Sequence, residues 1–246
     1  MITIDLSDTV VAVTGASGGI GAAIAARFTD AGAATVVHHR REPVPQVGPL
    51  SVAVSIDLAT DDGPQRLIDA AVATFGRLDA VINCAGVQPV VDFASMTTPE
   101  WDEMIAVNLT AVHRVTQAFA RHAAERGGGG AVVHVASIEG HQPAPGHSHY
   151  AVAKAGVLMH AKAAAIELGS IGVRVNTVSP GLVHRDGIEH AWPDGVARWR
   201  AAAPLGRLGA PSEIGDACVF LCSPLAAWVT GTDLVVDGGV SARPTW

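Results

Sequence analysis

The sequence predicts an α/β fold: a doubly wound sandwich in which helices cover both faces of a central, mostly parallel sheet of seven strands. Short apolar runs rich in β-branched residues alternate with alanine-rich stretches of helical spacing along all 246 residues. The runs are almost continuously apolar, which is typical of strands buried on both faces of a parallel sheet. No repeat and no change in composition divides the chain, so we expect residues 1–246 to form one domain.

The elements alternate between strand and helix in chain order. Strands are predicted at the apolar runs Val10–Val13, Thr35–Val37, Val52–Ile56, Ala80–Ile82, Ala131–Val135, Val173–Val178 and Leu234–Val236. Helices are predicted at Ile20–Ala31, Gln65–Phe75, Pro99–Ala124, Tyr150–Leu168 and Pro211–Cys222. Proline in the first turn, as at Pro99 and Pro211, is typical of a helix start. Right-handed crossovers are expected to join the strands.

Two segments depart from this alternation. Pro43, Pro45 and Pro49 exclude a normal helix between the second and third strands, so we expect an irregular loop there. The stretch 184–204, which contains Trp192 and Trp199, is predicted to be a partly helical lid over the substrate. The two tryptophans either line that lid or cover the core.

Composition excludes several classes of function. The formal charge is −7, from 16 basic and 23 acidic residues, and no basic run occurs, which argues against nucleic acid or an anionic membrane as partner. No apolar run approaches the roughly 18 residues of a membrane span, and the acidic N-terminal stretch does not resemble a signal peptide. Three cysteines cannot all pair with one another, so we expect a reduced, cytoplasmic protein.

A glycine-rich turn follows the first predicted strand. It reads Thr14-Gly15-Ala16-Ser17-Gly18-Gly19-Ile20-Gly21 and opens the first helix. Glycines let the backbone turn tightly and approach a pyrophosphate, and the helix N-terminus offers free N–H groups with a partial positive charge. A structural turn alone would also need glycine, but the strand–turn–helix setting favours nucleotide binding.

Three further residues suggest proton-transfer chemistry. Tyr150 and Lys154 stand four residues apart on one helix face, where an ammonium is expected to lower the pKa of the phenol. Ser137 ends the fifth strand, at the sheet edge where ligands bind in open α/β folds. Its hydroxyl is placed to hold a carbonyl oxygen while Tyr150 delivers the proton.

With these motifs the chain resembles the short-chain dehydrogenases/reductases of compact, single-domain type, which have a Rossmann-type fold. The resemblance extends over essentially the whole chain. Its further matches are Asn83-Cys84-Ala85-Gly86, Asn108, Pro180-Gly181 and Gly231–Gly239.

The resemblance implies hydride transfer between a nicotinamide and a small carbonyl compound or secondary alcohol. In it Tyr150 is the general acid or base, Lys154 tunes its pKa and binds the ribose, Ser137 polarises the substrate oxygen, and Asn108 places a relay water. The residues expected to bind the cofactor are Gly15, Ser17, Gly18, Gly19, Ile20, Gly21, His39, Arg40, Arg41, Asp57, Leu58, Asn83, Ala85, Gly86, Tyr150, Lys154, Pro180, Gly181 and Val183.

The end of the second strand predicts the cofactor. The position at which relatives have an acid for the ribose 2′-hydroxyl falls on His39, and Arg40 and Arg41 follow. Arginine there accommodates a 2′-phosphate, so we expect NADP in preference to NAD. Glu42 is the one nearby acid, and both arginines would otherwise be solvated loop charges.

The resemblance also implies assembly and limits the substrate. Its members commonly pair through helices that correspond to Pro99–Ala124 and Tyr150–Leu168, so we expect a homotetramer, with the tail Arg243–Trp246 as a candidate second interface. Gly128 and Ile171 stand where relatives acting on acyl-carrier-protein thioesters have basic residues. We therefore expect a free small molecule as substrate.

Some readings stay open. An NAD-linked secondary-alcohol dehydrogenase working oxidatively is the alternative enzyme, and a non-catalytic nucleotide sensor on the same scaffold is the alternative of another class. Three histidines, His141, His147 and His149, precede Tyr150. Their role is left open among metal ligands, pocket groups and solvated residues. No carboxylate or cysteine accompanies them at ligand spacing, so no metal site is predicted.

Overall fold

A computed structural model describes residues 3–41 and 48–242. Seven parallel strands form one sheet in the order β3-β2-β1-β4-β5-β6-β7. The strands are β1 (Val10–Val13), β2 (Ala34–His39), β3 (Ser51–Ser55), β4 (Ala80–Asn83), β5 (Gly130–Val135), β6 (Val173–Pro180) and β7 (Asp233–Val236). The predicted fold class is confirmed, and all neighbouring strands are parallel.

Eight helices of the described residues flank the sheet. They are α1 (Gly19–Asp30), α2 (Gly63–Phe75), α3 (Thr98–Ile105), α4 (Ala111–Glu125), α5 (Ser148–Leu168), α6 (Ile188–Ala191), α7 (Pro193–Ala202) and α8 (Pro211–Cys222). α1 and α8 cover one face, where Ile24, Phe28 and Ile214 are fully buried. α2, α4 and α5 cover the other face, where Leu67 and Phe119 are fully buried. The continuously apolar strands lie between these two layers.

The predicted helix Pro99–Ala124 is interrupted. α3 passes into a turn of π-helix at Ala106–Thr110 before α4 begins. The sequence did not predict this turn, because its spacing resembles that of an ordinary helix. A π turn inserts one extra residue into the helical repeat and is frequent at functional sites. Here it contains Asn108, one of the predicted site residues.

Some predicted features lie outside the described residues. They are Pro43 and Pro45 of the crossover loop, the nearby Glu42, and the tail Arg243–Trp246. The described part of the crossover, at 40–41 and 48–50, contains no helix. No helix in the described ranges is both long and apolar enough to cross a membrane. Cys84, Cys218 and Cys222 are free thiols.

Candidate active site

A cavity of about 1230 Å³ opens at the carboxyl edge of the sheet. The residues that line it follow β1, β4, β5 and β6, and the strand order reverses between β1 and β4. Ligands of open α/β sheets bind at such a reversal. Typical small-molecule sites measure roughly 300–1,000 Å³, so this cavity has room for a dinucleotide with a small substrate beside it.

The glycine-rich turn forms a cradle at one end of the cavity. Gly15 has a φ of +70°, and a Cβ on it would lie 2.6 Å from Cα of Ala85. Gly19, with a φ of +54°, begins α1, and neither it nor Gly18 has an atom within 4 Å of the place a Cβ would occupy. The turn therefore leaves open space beside the free N–H groups of a helix N-terminus. This arrangement fits the pyrophosphate of a dinucleotide.

Two side chains hold the cradle against the sheet. Oγ1 of Thr14 accepts hydrogen bonds from the backbone N–H groups of Cys84 (2.9 Å) and Ala85 (3.0 Å). Nδ1 of His38 accepts a hydrogen bond from N–H of Gly15 at 3.2 Å, and its Nε2 donates to the carbonyl of Ile56 at 2.8 Å. Burial lowers the pKa of His38, which favours the neutral ring that this pattern requires.

Sequence reasoning missed His38. It selected His39, the next residue, by counting from the glycine motif, but successive strand residues point to opposite faces. The structure places His38 and Arg40 in the lining of the cavity, whereas His39 and Arg41 are not among the lining residues. The alternation of side chains along β2 was the signal that could have separated the two histidines, because His38 and Arg40 point to the same face and His39 to the other.

Most of the predicted site residues meet at this cavity. Those in its lining are Gly15, Ser17, Gly18, Gly19, Ile20, Gly21, Arg40, Asp57, Leu58, Asn83, Ala85, Gly86, Ser137, Tyr150, Lys154, Pro180, Gly181 and Val183. Asn108 is fully buried beside it but is not a lining residue.

Asn108 supports the wall of the cavity through its side chain. Its Oδ1 accepts from N–H of Val87 at 3.0 Å, and its Nδ2 donates to the carbonyl of Val87 at 2.8 Å. A Cβ on Gly86 would lie 2.7 Å from that Oδ1, so only glycine permits this approach. The amide group thus fixes the Gly86–Val87 segment, and the role of Asn108 in placing a relay water stays a prediction.

Tyr150, Lys154 and Ser137 lie together at the centre of the cavity lining. Lys154 is buried, its Nζ lies 5.5 Å from the centroid of the Tyr150 ring, and it donates to the carbonyl of Val135 at 2.8 Å. Oγ of Ser137 accepts from N–H of Glu139 at 3.1 Å, and its own hydroxyl faces the phenol of Tyr150. A hydrogen-bond donor, a phenol and an ammonium therefore share one surface.

The protonation of this group differs from the expectation. Burial raises the pKa of Tyr150 to about 12; a hydrogen bond from Ser137 opposes the rise and the charge of Glu139 adds to it. Burial lowers the pKa of Lys154 to about 8. The expected lowering of the Tyr150 pKa by Lys154 is not seen, because burial disfavours the charged form of both groups. At neutral pH the phenol keeps its proton, as a general acid requires.

A chain of three histidines leads from the cavity to the surface, and sequence reasoning missed it. Nδ2 of Asn83 donates to Nδ1 of His134 at 3.1 Å, Nε2 of His134 faces Nδ1 of His160 at 3.2 Å, and Nε2 of His160 faces Nδ1 of His113 at 3.2 Å. Because an amide nitrogen only donates, each ring accepts at Nδ1 and donates at Nε2. All three rings are neutral in this pattern, and they hold Asn83 in place.

The three histidines before Tyr150 have separate surroundings. Nε2 of His141 pairs with Asp233 at 2.7 Å, and Nδ1 of His147 pairs with Glu139 at 2.9 Å. His149 is fully buried. They do not converge on one point, and the described residues contain no group of three side chains suited to holding a metal ion. Of the three, His147 lines the cavity.

The stretch 184–204 contributes part of the cavity lining. It contains α6 and α7, and His184, Arg185, Ile188, Trp192 and Trp199 contribute to the lining. Trp199 packs with Ile188 and closes over Gly181, where a Cβ would lie 2.7 Å from its ring. Trp192 remains 48% exposed. Both tryptophans therefore line the cavity, and Trp199 in addition covers apolar residues.

Comparison with known proteins gives consistent matches over nearly the whole chain. Residues 15–241 match the family model described as enoyl-(acyl carrier protein) reductase. L-rhamnose 1-dehydrogenase (NAD(P)(+)) of Azotobacter vinelandii is 37% identical over 96% of this chain and 97% of its own. 3beta-hydroxysteroid dehydrogenase 1 of Eggerthella lenta is 33% identical over 98% and 96%. The crystal structure of a short-chain type dehydrogenase/reductase from Mycobacterium marinum superposes with a TM-score of 0.89 at 31% identity, covering 98% of each chain.

Proposed function

The chain belongs to the short-chain dehydrogenase/reductase family, and we propose that it transfers a hydride between NADP(H) and a small carbonyl compound or secondary alcohol. Nicotinamide-dependent oxidoreduction of an alcohol or carbonyl group follows from the family. The preference for NADP, the residues that act and the assembly are our proposals. The grouping of Ser137, Tyr150 and Lys154 beside the glycine cradle is the observation on which the proposal rests.

Tyr150 is the proton donor in carbonyl reduction. When bound, the nicotinamide supplies the hydride. The hydroxyl of Ser137 donates to the substrate oxygen, and Tyr150 gives up its phenolic proton to that oxygen as negative charge develops on it. The ammonium of Lys154 stabilises the phenolate left behind, because it is buried nearby and water does not screen it. In alcohol oxidation the same groups work in reverse, with Tyr150 as base.

Arg40 supports the preference for NADP. β2 ends in His38 and His39 without an acid to bind a ribose 2′-hydroxyl, and Arg40 lines the cavity directly after it. A guanidinium binds a phosphate through two parallel hydrogen bonds, and it does not deprotonate at any ordinary pH. Asp57 and Leu58, after β3, form the neighbouring part of the lining.

The substrate we propose is a free small molecule. Gly128 has a φ of +92°, and a Cβ on it would lie 2.6 Å from the carbonyl oxygen of Ile171. That surface therefore has no room for a basic side chain at position 128 that would attract an acidic carrier protein. We further propose that 184–204 is a lid and that residues 1–246 act as one domain, since the lid and the sheet edge line the same cavity.

Exposed apolar side chains on α5 support pairing between copies of the chain, and the assembly that we propose is a homotetramer. Val152, Met159 and Ile166 recur every seven residues, which places them on one face, and they are 49%, 63% and 83% exposed. A partner helix would bury this stripe. Light scattering should return about four times the mass of one chain, and the mass of a single chain at micromolar concentration would contradict the proposal. Three free cysteines support a reducing, cytoplasmic location.

The experiment that tests the function is a turnover assay in both directions. NADPH oxidation is followed at 340 nm with a panel of ketones and keto sugars, and NADP+ reduction with secondary alcohols, cyclic alcohols and sugars. We expect carbonyl-dependent oxidation of NADPH, because the Tyr150 phenol is protonated at neutral pH. Tight binding of NADP(H) without turnover of any compound would instead support the nucleotide sensor.

A further inference from the structure

Glu139 lies two residues after Ser137 and lines the same cavity. The backbone N–H of Glu139 donates to Oγ of Ser137 at 3.1 Å, and this contact starts the short 3₁₀ turn Ile138–Gly140. The position of Glu139 is thus tied directly to that of the serine that is proposed to hold the reacting oxygen. Its side chain is only 16% exposed and lines the cavity.

Two side chains from other segments orient the carboxylate of Glu139. Nδ1 of His147, in the loop before α5, lies 2.9 Å from Oε2 and 3.2 Å from Oε1. Nε2 of Gln88, in the segment after β4, donates to Oε1 at 2.9 Å. Both partners also line the cavity. A carboxylate accepts about four hydrogen bonds, so these two donors leave capacity for a third donor from the cavity.

This carboxylate has a cost for the chemistry proposed above. Its negative charge raises the pKa of Tyr150, which makes the phenol a weaker acid. A glutamine could tie the same three segments together without that penalty. A negative charge at this place is therefore best explained by an interaction with the substrate.

We propose that Glu139, oriented by His147 and Gln88, binds a hydroxyl group on the carbon next to the reacting one, so that the preferred substrates are vicinal diols and α-hydroxy carbonyl compounds, as in polyols and sugars. This inference rests on the proposed function. The donors already on the carboxylate favour a neutral hydroxyl over a cation. Like-charge repulsion also rejects substrates with a carboxylate or phosphate at that position.

The test compares matched alcohols with NADP+ as acceptor. The pairs are cis-1,2-cyclohexanediol with cyclohexanol and 2,3-butanediol with 2-butanol, and the readout is the ratio of kcat/KM for diol to kcat/KM for mono-alcohol. The wild-type ratio should exceed ten in at least one pair. In Glu139→Ala it should fall by tenfold to a hundredfold, the range for a hydrogen bond to a charged group. Glu139→Gln keeps the size and an acceptor oxygen, so its ratio should lie between those of the wild type and Glu139→Ala.

His141→Gln is the matched control. His141 lies on the same loop and pairs with Asp233, but it does not line the cavity. The ratio of kcat/KM for diol to kcat/KM for mono-alcohol in His141→Gln should equal that of the wild type. Binding of NADP+ by fluorescence and the melting temperature verify that each variant is folded; if Glu139→Ala does not fold, Glu139→Gln alone decides.

Four outcomes would overturn the inference. If kcat/KM falls equally for the diol and the mono-alcohol in the Glu139 variants, the ratio is unchanged and Glu139 has a purely structural role. A preference for 1-amino-2-propanol over 1,2-propanediol would show that Glu139 binds a cation of the substrate and not a hydroxyl group. Wild-type turnover of every alcohol at the same kcat/KM rejects the inference and leaves the proposed function intact, whereas turnover of no alcohol and no ketone rejects both.

Discussion

The backbone N–H of Gly15 donates a 3.2 Å hydrogen bond to Nδ1 of His38, across from β1 to β2. The other ring nitrogen donates to the carbonyl of Ile56, on the far side of β2. One buried imidazole thus joins the glycine cradle to two strands. The cradle is positioned by a side chain as well as by its own glycines.

Replacing His38 should therefore loosen the cradle. In His38→Ala the partly buried N–H of Gly15 and the buried carbonyl of Ile56 lose their partner, and the loss at the buried carbonyl costs about 1–3 kcal/mol of stability. We expect the free energy of unfolding in urea to fall by that amount and the affinity for NADP+ to fall several-fold. His190→Ala, an exposed histidine elsewhere, is the control and should change neither quantity. Unchanged affinity in His38→Ala would show that the cradle does not depend on this contact.

Tyr150→Phe should abolish turnover and leave cofactor binding nearly intact. The variant removes one hydroxyl and keeps the ring that packs near His147 and Lys154. Loss of a positioned general acid typically costs 10²–10⁴-fold in rate. Stopped-flow or steady-state kcat and a fluorescence titration with NADPH measure the two effects. Because Tyr150 is the only tyrosine, no other phenol can replace it, and a kcat like that of the wild type would refute the mechanism.

The pH dependence of reduction should follow Lys154. Burial places the pKa of Lys154 at about 8 and that of Tyr150 at about 12, so the phenol stays protonated while the ammonium loses its proton. We expect kcat/KM for carbonyl reduction to be level below pH 8 and to decline above it, since a neutral amine does not stabilise the phenolate. Lys154→Met should be less active and should lack this decline. A decline with the same midpoint in that variant would assign it to another group.

Stability should fall in mild acid because of the buried histidine chain. Burial, followed by the nearby His160 and Lys154, holds the pKa of His134 well below 6.5. The unfolded chain takes up a proton near pH 6.5 and the folded chain does not, so unfolding is favoured as pH falls. Each such histidine contributes up to about 1.4 kcal/mol per pH unit.

Urea unfolding between pH 5.0 and 7.5 measures this slope. His38 and His160 have lowered pKa values as well. His134→Gln should therefore reduce the dependence of the free energy of unfolding on pH without removing it. The carboxyl groups with lowered pKa values titrate at lower pH and do not enter this range; they are Asp5, Asp79, Glu100, Glu213 and Asp237. The same slope in His134→Gln and in the wild type would contradict the assignment.

The fold was predictable because its strands are apolar on both faces and its helices are marked by spacing and by proline starts. The π turn at Ala106–Thr110 was not, since one extra residue in a helix leaves the apolar pattern almost unchanged. The proximity of Tyr150 and Lys154, the proposed catalytic pair, was predictable because they are four residues apart in one helix. The pKa values of these two groups depend on burial by distant segments, so spacing alone gave the wrong direction for Tyr150.

The contacts around the site were hidden for a similar reason. Asn83 and His134 are 51 residues apart, and His113 and His160 are 47 residues apart. Their pairing follows from the strand order and from the packing of α4 against α5, neither of which is local. Gln88, Glu139 and His147 come together in the same way, from three loops at the carboxyl edge of the sheet.

Arg40→Ala should weaken NADP+ binding selectively. Loss of a hydrogen-bonded charge pair costs about 1.5–3 kcal/mol, which is tenfold to more than a hundredfold in Kd. Binding of NAD+ should change little, because it has no 2′-phosphate. Arg41→Ala is the matched control, since Arg41 is adjacent but does not line the cavity. Equal effects of Arg40→Ala on both cofactors would show that Arg40 does not contact the 2′-phosphate.

The most direct test of the NADP-dependent reduction proposed here is kcat/KM of the wild-type enzyme for NADPH and for NADH, measured side by side with one carbonyl substrate at saturation. β2 ends in two histidines, His38 and His39, and has no acid that would bind a ribose 2′-hydroxyl; Arg40 follows them in the cavity lining. We therefore predict that kcat/KM for NADPH exceeds kcat/KM for NADH by tenfold or more. A value for NADH that equals or exceeds that for NADPH would contradict this account and favour the NAD-linked dehydrogenase.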